Sequence, residues 1–162
     1  MTPKKQPVSS TPLRIDWLSD ADIAALQARP EQCRFLFGHP ALLLELQNLM
    51  QTNPSEAHWY RPACVYPQDN AVAAGGFKGP PINGTVELGY RTHPDWRRQG
   101  YATELVRWLC AAAQREGLTR VVAVTATGNL ASQAVLAQTG FVHTGDFLSD
   151  SQQWLQRWQH TL

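Results

Sequence analysis

The most restrictive feature of this sequence is a strand that continues through a glycine-containing loop into a long amphipathic helix. Residues 85–92 (TVELGYRT) alternate apolar with polar side chains, which is the period of a half-buried strand. Gly100 closes the loop that follows, and we predict a helix over residues 103–116 with one apolar face and Gly117 at its end. This junction indicates a mixed α/β fold in which the helix packs on a sheet.

The elements around this junction predict one domain with the order ααβββαβαββ. A capping box at residues 19–22 starts a first helix that ends before Pro30, and a second helix runs from Pro40 to Asn53. The other predicted elements are strands at 59–66 and 71–77, which form an antiparallel meander with 85–92, a strand at 120–126, a helix at 132–138 and a closing hairpin at 141–147 and 152–159. We predict a flexible tail over residues 1–12 and a single domain over residues 13–162.

Composition excludes several classes of function. The chain has 162 residues and a net charge of +1, so it has no basic excess that would indicate a nucleic-acid partner. No apolar run approaches the ~20 residues that cross a membrane. Cys33, Cys64 and Cys110 are odd in number and form no CxxC pair, which argues against a disulfide framework or a zinc site. We therefore expect a cytoplasmic protein without a metal or a membrane partner.

The loop before the helix is suited to an anion. A helix N-terminus presents unpaired backbone N–H groups at the positive end of the helix dipole, and Gly100 lets the backbone approach a phosphate. Arg97 and Arg98 add local positive charge. The loop matches neither GxGxxG nor GxxxxGK[ST], which argues against dinucleotide and P-loop sites. By itself, it is equally consistent with an ordinary turn that carries solvated arginines.

Several linked motifs resemble the GNAT N-acetyltransferase family. The pattern Arg97-x-x-Gly100-x-Ala102 is similar to the family's acetyl-CoA pyrophosphate loop. It lies in the run VELGYRTHPDWRRQGYATELV, which is followed by RVVAV, by NLAS at 129–132 and by GF at 140–141. This order and spacing resemble the branch that contains the ribosomal-protein alanine and serine N-acetyltransferases, closely over residues 75–147. The resemblance implies a mixed, mostly antiparallel sheet with helices on both faces and a splayed pair of central strands.

The resemblance also implies acetyl-CoA as cosubstrate. Backbone groups near Thr92 would bond the pantetheine arm, the N–H groups of residues 98–103 would hold the pyrophosphate, and the side chain of Asn129 would reach the pantetheine amides. The implied cofactor-binding residues are Thr92, Arg97, Arg98, Gln99, Gly100, Tyr101, Ala102, Thr103 and Asn129. Asn129 equally suits a plain N-cap of the following helix, and that alternative stays open.

Two residues are candidates for proton transfer. Many GNAT enzymes carry a tyrosine seven residues after this asparagine, but Leu136 stands here and cannot donate a proton. Ser132 matches the position of a serine near the thioester sulfur in the ribosomal-protein branch, and its alternative is a serine that only caps the helix. Glu87 would remove a proton from the amine. An ion pair with Arg91 is the structural alternative for Glu87.

We expect direct acetyl transfer to a primary amine, because no Ser–His or Cys–His pair is visible to carry a covalent acyl group. The acceptor is either a protein N-terminus or a small-molecule amine, with residues 79–84 and 39–61 shaping its site. Trp96, His143 and Asp146 could reach the acceptor end. A monomer and a homodimer both stay open, and a non-catalytic CoA-binding module is the alternative function.

Overall fold

A computed structural model describes residues 12–162 of the chain. Its strands are β1 (Arg14–Trp17), β2 (Ala63–Tyr66), β3 (Ala73–Phe77), β4 (Thr85–Thr92), β5 (Arg120–Ala126), β6 (Val142–Leu148) and β7 (Trp154–Thr161). Its α-helices are α1 (Asp20–Gln27), α2 (Pro30–Phe37), α3 (Ala41–Thr52), α4 (Tyr101–Arg115) and α5 (Leu130–Gln138). Short 3-10 helices span Pro54–Trp59 and Pro94–Trp96. The predicted tail lies outside the described residues, apart from Pro12.

The seven strands form one sheet in the order β1-β2-β3-β4-β5-β7-β6. All neighbouring pairs are antiparallel except β4 and β5, which run parallel. The predicted meander is the β2–β3–β4 part of this sheet, and the predicted closing hairpin is β6–β7. The expectation of a mixed, mostly antiparallel sheet is confirmed.

The two parallel strands separate soon after they meet. Their ladder contains only Thr85 with Arg120, Val86 with Val121, and Glu87 with Val122. Beyond Glu87, the side of β4 that faces β5 has no ladder partner within residues 12–162. The predicted splayed pair of central strands is therefore confirmed, and a V-shaped gap opens in the middle of the sheet.

Helices cover both faces of the sheet. On one face, α4 buries Leu105, Val106 and Leu109 against β3 and β4, which matches its predicted apolar face. On the other face, α1, α2 and α3 surround a second core that includes Leu36 and Met50. Residues 63–65 of β2 are buried on both sides, because each of the two cores covers one face of the sheet.

The N-terminal third contains two elements that the sequence analysis missed. Strand β1 has only four residues, half exposed, and its pattern is too short for a period-two signal. Pro30 ends the first helix as predicted, but it also occupies the first turn of α2, where its missing N–H costs nothing. The capping box is confirmed: Asp22 N–H donates to Ser19 Oγ at 3.1 Å and Ser19 N–H donates to Asp22 Oδ2 at 2.8 Å.

The predicted strand 59–66 is wrong in its first half. Trp59 ends a 3-10 helix, and β2 begins only at Ala63. Pro62 cannot donate to a ladder, and its carbonyl accepts from Leu18 N–H at 2.8 Å instead. The corrected element order is βαααβββαβαββ. Other predicted helix and strand ends shift by a few residues.

No helix within residues 12–162 is both long and apolar enough to cross a membrane.

Candidate active site

The gap between β4 and β5 opens into a cleft of about 520 Å³. Its walls come from β3, β4 and β5, from α5 on one face of the sheet, and from α2 and α3 on the other. The cleft therefore passes through the sheet and connects its two faces. Polar side chains that line it are Tyr60, Lys78, Tyr90, Arg91, Thr125, Asn129 and Ser132.

Closely packed glycines form the β3–β4 wall of this cleft. A Cβ on Gly75 would lie 2.6 Å from the carbonyl oxygen of Gly89, closer than any side chain tolerates. A Cβ on Gly89 would lie 3.0 Å from Cε of Lys78, so the Lys78 stem crosses β4 at this point. These positions keep the wall thin beside the point where the strands diverge.

The loop before α4 presents a row of free backbone amides. Gly100 is the N-cap of α4 with φ +85°, and Arg98 has φ +61°. The first helical hydrogen bond is Glu104 N–H to Gly100 carbonyl at 3.1 Å, and the amides of residues 98–103 donate to no acceptor within residues 12–162. No atom lies within 4 Å of a Cβ built on Gly100, so the concave side of the loop is open. Free donors at the positive end of a 15-residue helix fit a phosphate anion.

His93 holds the entry to this loop. Its Nδ1 accepts from Asp95 N–H at 3.2 Å, and its ring lies on Phe35 with centroids 4.4 Å apart. This histidine is therefore the N-cap of the short 3-10 helix Pro94–Trp96. The same contacts connect the loop to α2 on the other face of the sheet.

Asn129 both caps a helix and lines the cleft. Its Oδ1 accepts from Ser132 N–H at 3.2 Å, which confirms the predicted N-cap of α5. Its Nδ2 donates to no partner within the described part of the chain. The cap therefore leaves the amide N–H donors of Asn129 available to a group in the cleft.

Ser132 is bonded to Tyr90, which the alternation along residues 85–92 places on the apolar face of β4. The two hydroxyl groups are 2.8 Å apart, and Tyr90 Oη also lies 3.1 Å from the carbonyl oxygen of Ser132. Burial raises the pKa of Tyr90 to about 12, and the bond to Ser132 opposes that shift only in part. Tyr90 thus stays protonated at neutral pH. The sequence signal for this pair was a tyrosine on an apolar strand face, where its hydroxyl needs a partner.

Leu136, which occupies the usual tyrosine position, lines the cleft and is fully buried. It supplies no proton donor.

Glu87 pairs with Lys78 and not with Arg91. Lys78 Nζ lies 3.0 Å from Glu87 Oε1, and Lys78 N–H donates to the Glu87 carbonyl at 2.8 Å. Arg91 instead donates from Nε to the Phe35 carbonyl at 3.2 Å. The predicted structural alternative was wrong because the register of β3 against β4 places Lys78 directly beside Glu87. Glu87 lies next to the cleft, with its side chain 36% exposed, but does not form its wall.

The two segments that were expected to shape the acceptor site differ in their position relative to the cleft. Within residues 39–61, the side chains that line the cleft are Leu42, Leu46, Leu49 and Tyr60. Residues 79–84 do not line it. His143 Nε2 and Asp146 Oδ1 lie 2.6 Å apart on β6. Trp96 lies beside Tyr101, with ring centroids 6.3 Å apart, and none of these three residues lines the cleft.

Within residues 12–162, no three His, Cys, Asp or Glu side chains are grouped to hold a metal ion. Cys33, Cys64 and Cys110 are buried free thiols.

A splayed parallel pair beside a helix that begins with free amides defines a class of protein, the acyl-CoA-dependent acetyltransferase domains. Residues 12–142 match the family described as acetyltransferase (GNAT) domain. The chain belongs to the GNAT acetyltransferase family, and the predicted family and fold are confirmed.

Known proteins with related sequences or folds agree with this assignment. An uncharacterized N-acetyltransferase of Bacillus subtilis, YjdG, is 36% identical over 85 residues, which cover 48% of this chain and 49% of YjdG. The chain therefore spans about half the length of that relative. RimL, a ribosomal L7/L12 alpha-N-protein acetyltransferase solved with coenzyme A, has a TM-score of 0.75 at 19% identity, covering 96% of this chain and 97% of its own. Spermidine N-acetyltransferase from Vibrio cholerae, solved with CoA and spermine, has a TM-score of 0.69 at 17% identity over 92% and 95% of the chains.

Proposed function

We propose that this protein is an N-acetyltransferase that moves acetyl from acetyl-CoA directly to a primary amine. The observation that carries the proposal is the cleft through the sheet. It runs from Asn129 and Ser132 on the α5 face of the sheet to residues of α2 and α3 on the other face, and the loop with the free amides follows β4, whose Arg91 lines the cleft. A donor and an acceptor that enter from opposite faces would meet where β4 and β5 diverge.

The residues of the chain fit acetyl-CoA. The amides of residues 98–103 would hold its pyrophosphate, with Arg97 and Arg98 adding charge. The unpaired side of β4 as far as Thr92 would bond the pantetheine arm, together with Nδ2 of Asn129. When bound, acetyl-CoA supplies the activated acetyl group and a thiolate leaving group.

Glu87 is the proposed base. A free amine is largely protonated at neutral pH, so a carboxylate must accept a proton before the amine can attack. Glu87 lies beside the cleft on its acceptor face and would act directly or through one water. The Lys78 ammonium lies 3.0 Å from Oε1 of this carboxylate and fixes its position.

Ser132 is the proposed proton donor to the leaving thiolate. Its hydroxyl lines the cleft on the α5 face and is held by Tyr90 at 2.8 Å. Tyr90 can turn its own O–H from the Ser132 carbonyl to the Ser132 hydroxyl oxygen. That exchange frees the Ser132 proton to point into the cleft. This pair takes the place of the missing tyrosine at Leu136.

The acceptor is either a small-molecule amine or the N-terminus of a peptide, and we place the reaction in the cytoplasm, where the three free thiols would be maintained. The cleft lies within one chain, so a monomer and a homodimer are both compatible with the proposal.

Ala102→Asp tests the anion site. A carboxylate in the first turn of α4 interacts favourably with the positive end of the helix dipole. We therefore expect the thermal stability of this variant to be unchanged or slightly raised. The same charge beside the free amides would repel a pyrophosphate, and calorimetry should show acetyl-CoA affinity reduced by at least about tenfold, which corresponds to ~1.4 kcal/mol. Ala111→Asp, at an exposed position of the same helix, is the matched control and should bind acetyl-CoA normally.

Acetyl transfer to a panel of amines completes this test. Normal acetyl-CoA affinity in Ala102→Asp would refute the site. Tight binding without transfer to any amine would favour the non-catalytic CoA-binding module.

A further inference from the structure

The acceptor half of the cleft has an apolar wall and two cationic side chains. Its wall on the α2 and α3 side is formed by Phe37, Leu42, Leu46 and Leu49. The charged residues that line the cleft are Lys78 and Arg91, and no carboxylate lines it within residues 12–162. An amine that also carries an anionic group fits this composition better than an amine that carries further positive charges.

The two cations differ in how they are paired. Lys78 is bonded to Glu87 at 3.0 Å, so its charge is locally balanced. Arg91 forms no ion pair within the described residues and donates only from Nε, to the Phe35 carbonyl at 3.2 Å. Its Nη1 lies beside Gly38, 3.4 Å from where a Cβ would stand, which shows that the guanidinium is turned towards the end of α2. The Nε contact anchors the group and leaves its terminal N–H donors free.

Arg91 also lies at a suitable place along the strand. Glu87, Gly89 and Arg91 share the face of β4 that α2 covers, because side chains alternate along a strand. At about 3.3 Å per residue, the backbone of Arg91 is ~7 Å from that of Gly89 and ~13 Å from that of Glu87. The Arg91 guanidinium lies beside Gly38, which directly follows the cleft-lining Phe37. A molecule bound against the apolar wall can therefore present an anion to Arg91.

We propose that the acceptor is an apolar amino acid, with its carboxylate bound by Arg91 and its side chain against the leucines of α3. This inference rests on the proposed acetyltransferase function and narrows its acceptor. A planar guanidinium with free donors matches a carboxylate in a two-point hydrogen bond. A polyamine would bring several positive charges to a cleft that offers two cations and no lining carboxylate.

The test compares matched amines with acetyl-CoA as donor: L-leucine, L-leucinamide, spermidine and a short peptide without an acidic side chain. Rates are compared per neutral amine, because the free carboxylate raises the pKa of the neighbouring amine. We expect kcat/KM for leucine to exceed that for leucinamide by about tenfold or more, as a charge-assisted hydrogen bond provides. Arg91→Gln should abolish this preference, because it lowers the rate with leucine by about tenfold or more and the rate with leucinamide much less. Arg115→Gln, an exposed arginine at the end of α4, is the charge-matched control and should retain the preference.

Equal rates for leucine and leucinamide, or an unchanged ratio in Arg91→Gln, would overturn the inference. Turnover of spermidine or the peptide in preference to leucine would overturn it while leaving the acetyltransferase function intact. Failure of every amine would overturn both. A thermal melt of Arg91→Gln, compared with that of Arg115→Gln, reports whether the variant is folded.

Discussion

The Tyr90–Ser132 pair provides the sharpest test of the proposed chemistry. Tyr90→Phe removes one oxygen atom and two contacts, at 2.8 Å to the Ser132 hydroxyl and 3.1 Å to its carbonyl. Each hydrogen bond contributes a net ~0.5–1.5 kcal/mol, so the free energy of unfolding should fall by about 1–3 kcal/mol. A domain of this size loses ~2–4 °C per kcal/mol, which predicts a melting temperature lower by about 2–12 °C.

The same substitution should slow the reaction without weakening acetyl-CoA binding. Ser132 would keep its hydroxyl but lose the partner that orients it, and we expect kcat to fall by about tenfold to a hundredfold, at or below the usual effect of a positioned acid. Ser132→Ala should cause a loss at least as large. If the two hydroxyls act as one unit, the double variant should be no slower than Ser132→Ala alone.

Steady-state kinetics and calorimetry on the three variants decide the question. Tyr66→Phe, which removes a hydroxyl outside the cleft, is the matched control and should keep the wild-type kcat. The losses in kcat should shrink with a thioester whose leaving thiol is more acidic. Losses that multiply in the double variant would refute the paired role, as would an unchanged kcat in Tyr90→Phe.

Two further predictions concern protons. Glu87→Gln should lower kcat/KM by about 10²–10⁴ and remove the acidic limb of the pH–rate profile while acetyl-CoA affinity is retained; a wild-type profile would limit Glu87 to its ion pair with Lys78. Burial raises the pKa of the Cys110 thiol from 9.0 to about 11 and that of the Cys64 thiol to about 12. The unfolded chain therefore releases these protons first, and the free energy of unfolding should fall as pH rises from ~9 towards 12. Denaturant titrations across this range should show a shallower fall for Cys110→Ala, and a pH-independent stability would contradict the burial of these thiols.

Features that depend on near neighbours in the chain could be predicted from the sequence. The Ser19 capping box, the alternation along β4 and the apolar face of α4 each follow from a period or a spacing within a few residues. The loop at Gly100 belongs to the same group, because a glycine before a helix N-terminus determines locally where free amides occur. The family resemblance relied on these same local motifs.

Other features depended on which segments meet in space. The partner of Glu87 is decided by the register of β3 against β4, and that register selects Lys78 although Arg91 is the nearer charge on its own strand. Strand β1 carries no strong pattern of its own and is held by its antiparallel ladder with β2. Both the ion-pair partner of Glu87 and the pairing of β1 depend on interaction energies summed over whole strands, and no single residue specifies such a sum.

The proposed active site also combines features set by neighbouring residues in the chain with features set by contacts between distant segments. The sequence by itself determined a helix start with free backbone amides, a strand that borders it and a serine at a helix terminus. Only the tertiary structure decided that Tyr90 meets Ser132, 42 residues away in the chain, and that Arg91 shares a cleft with the leucines of α3. The physical reason is the early separation of β4 from β5: the sheet opens after Glu87, and side chains from distant segments come together around that gap.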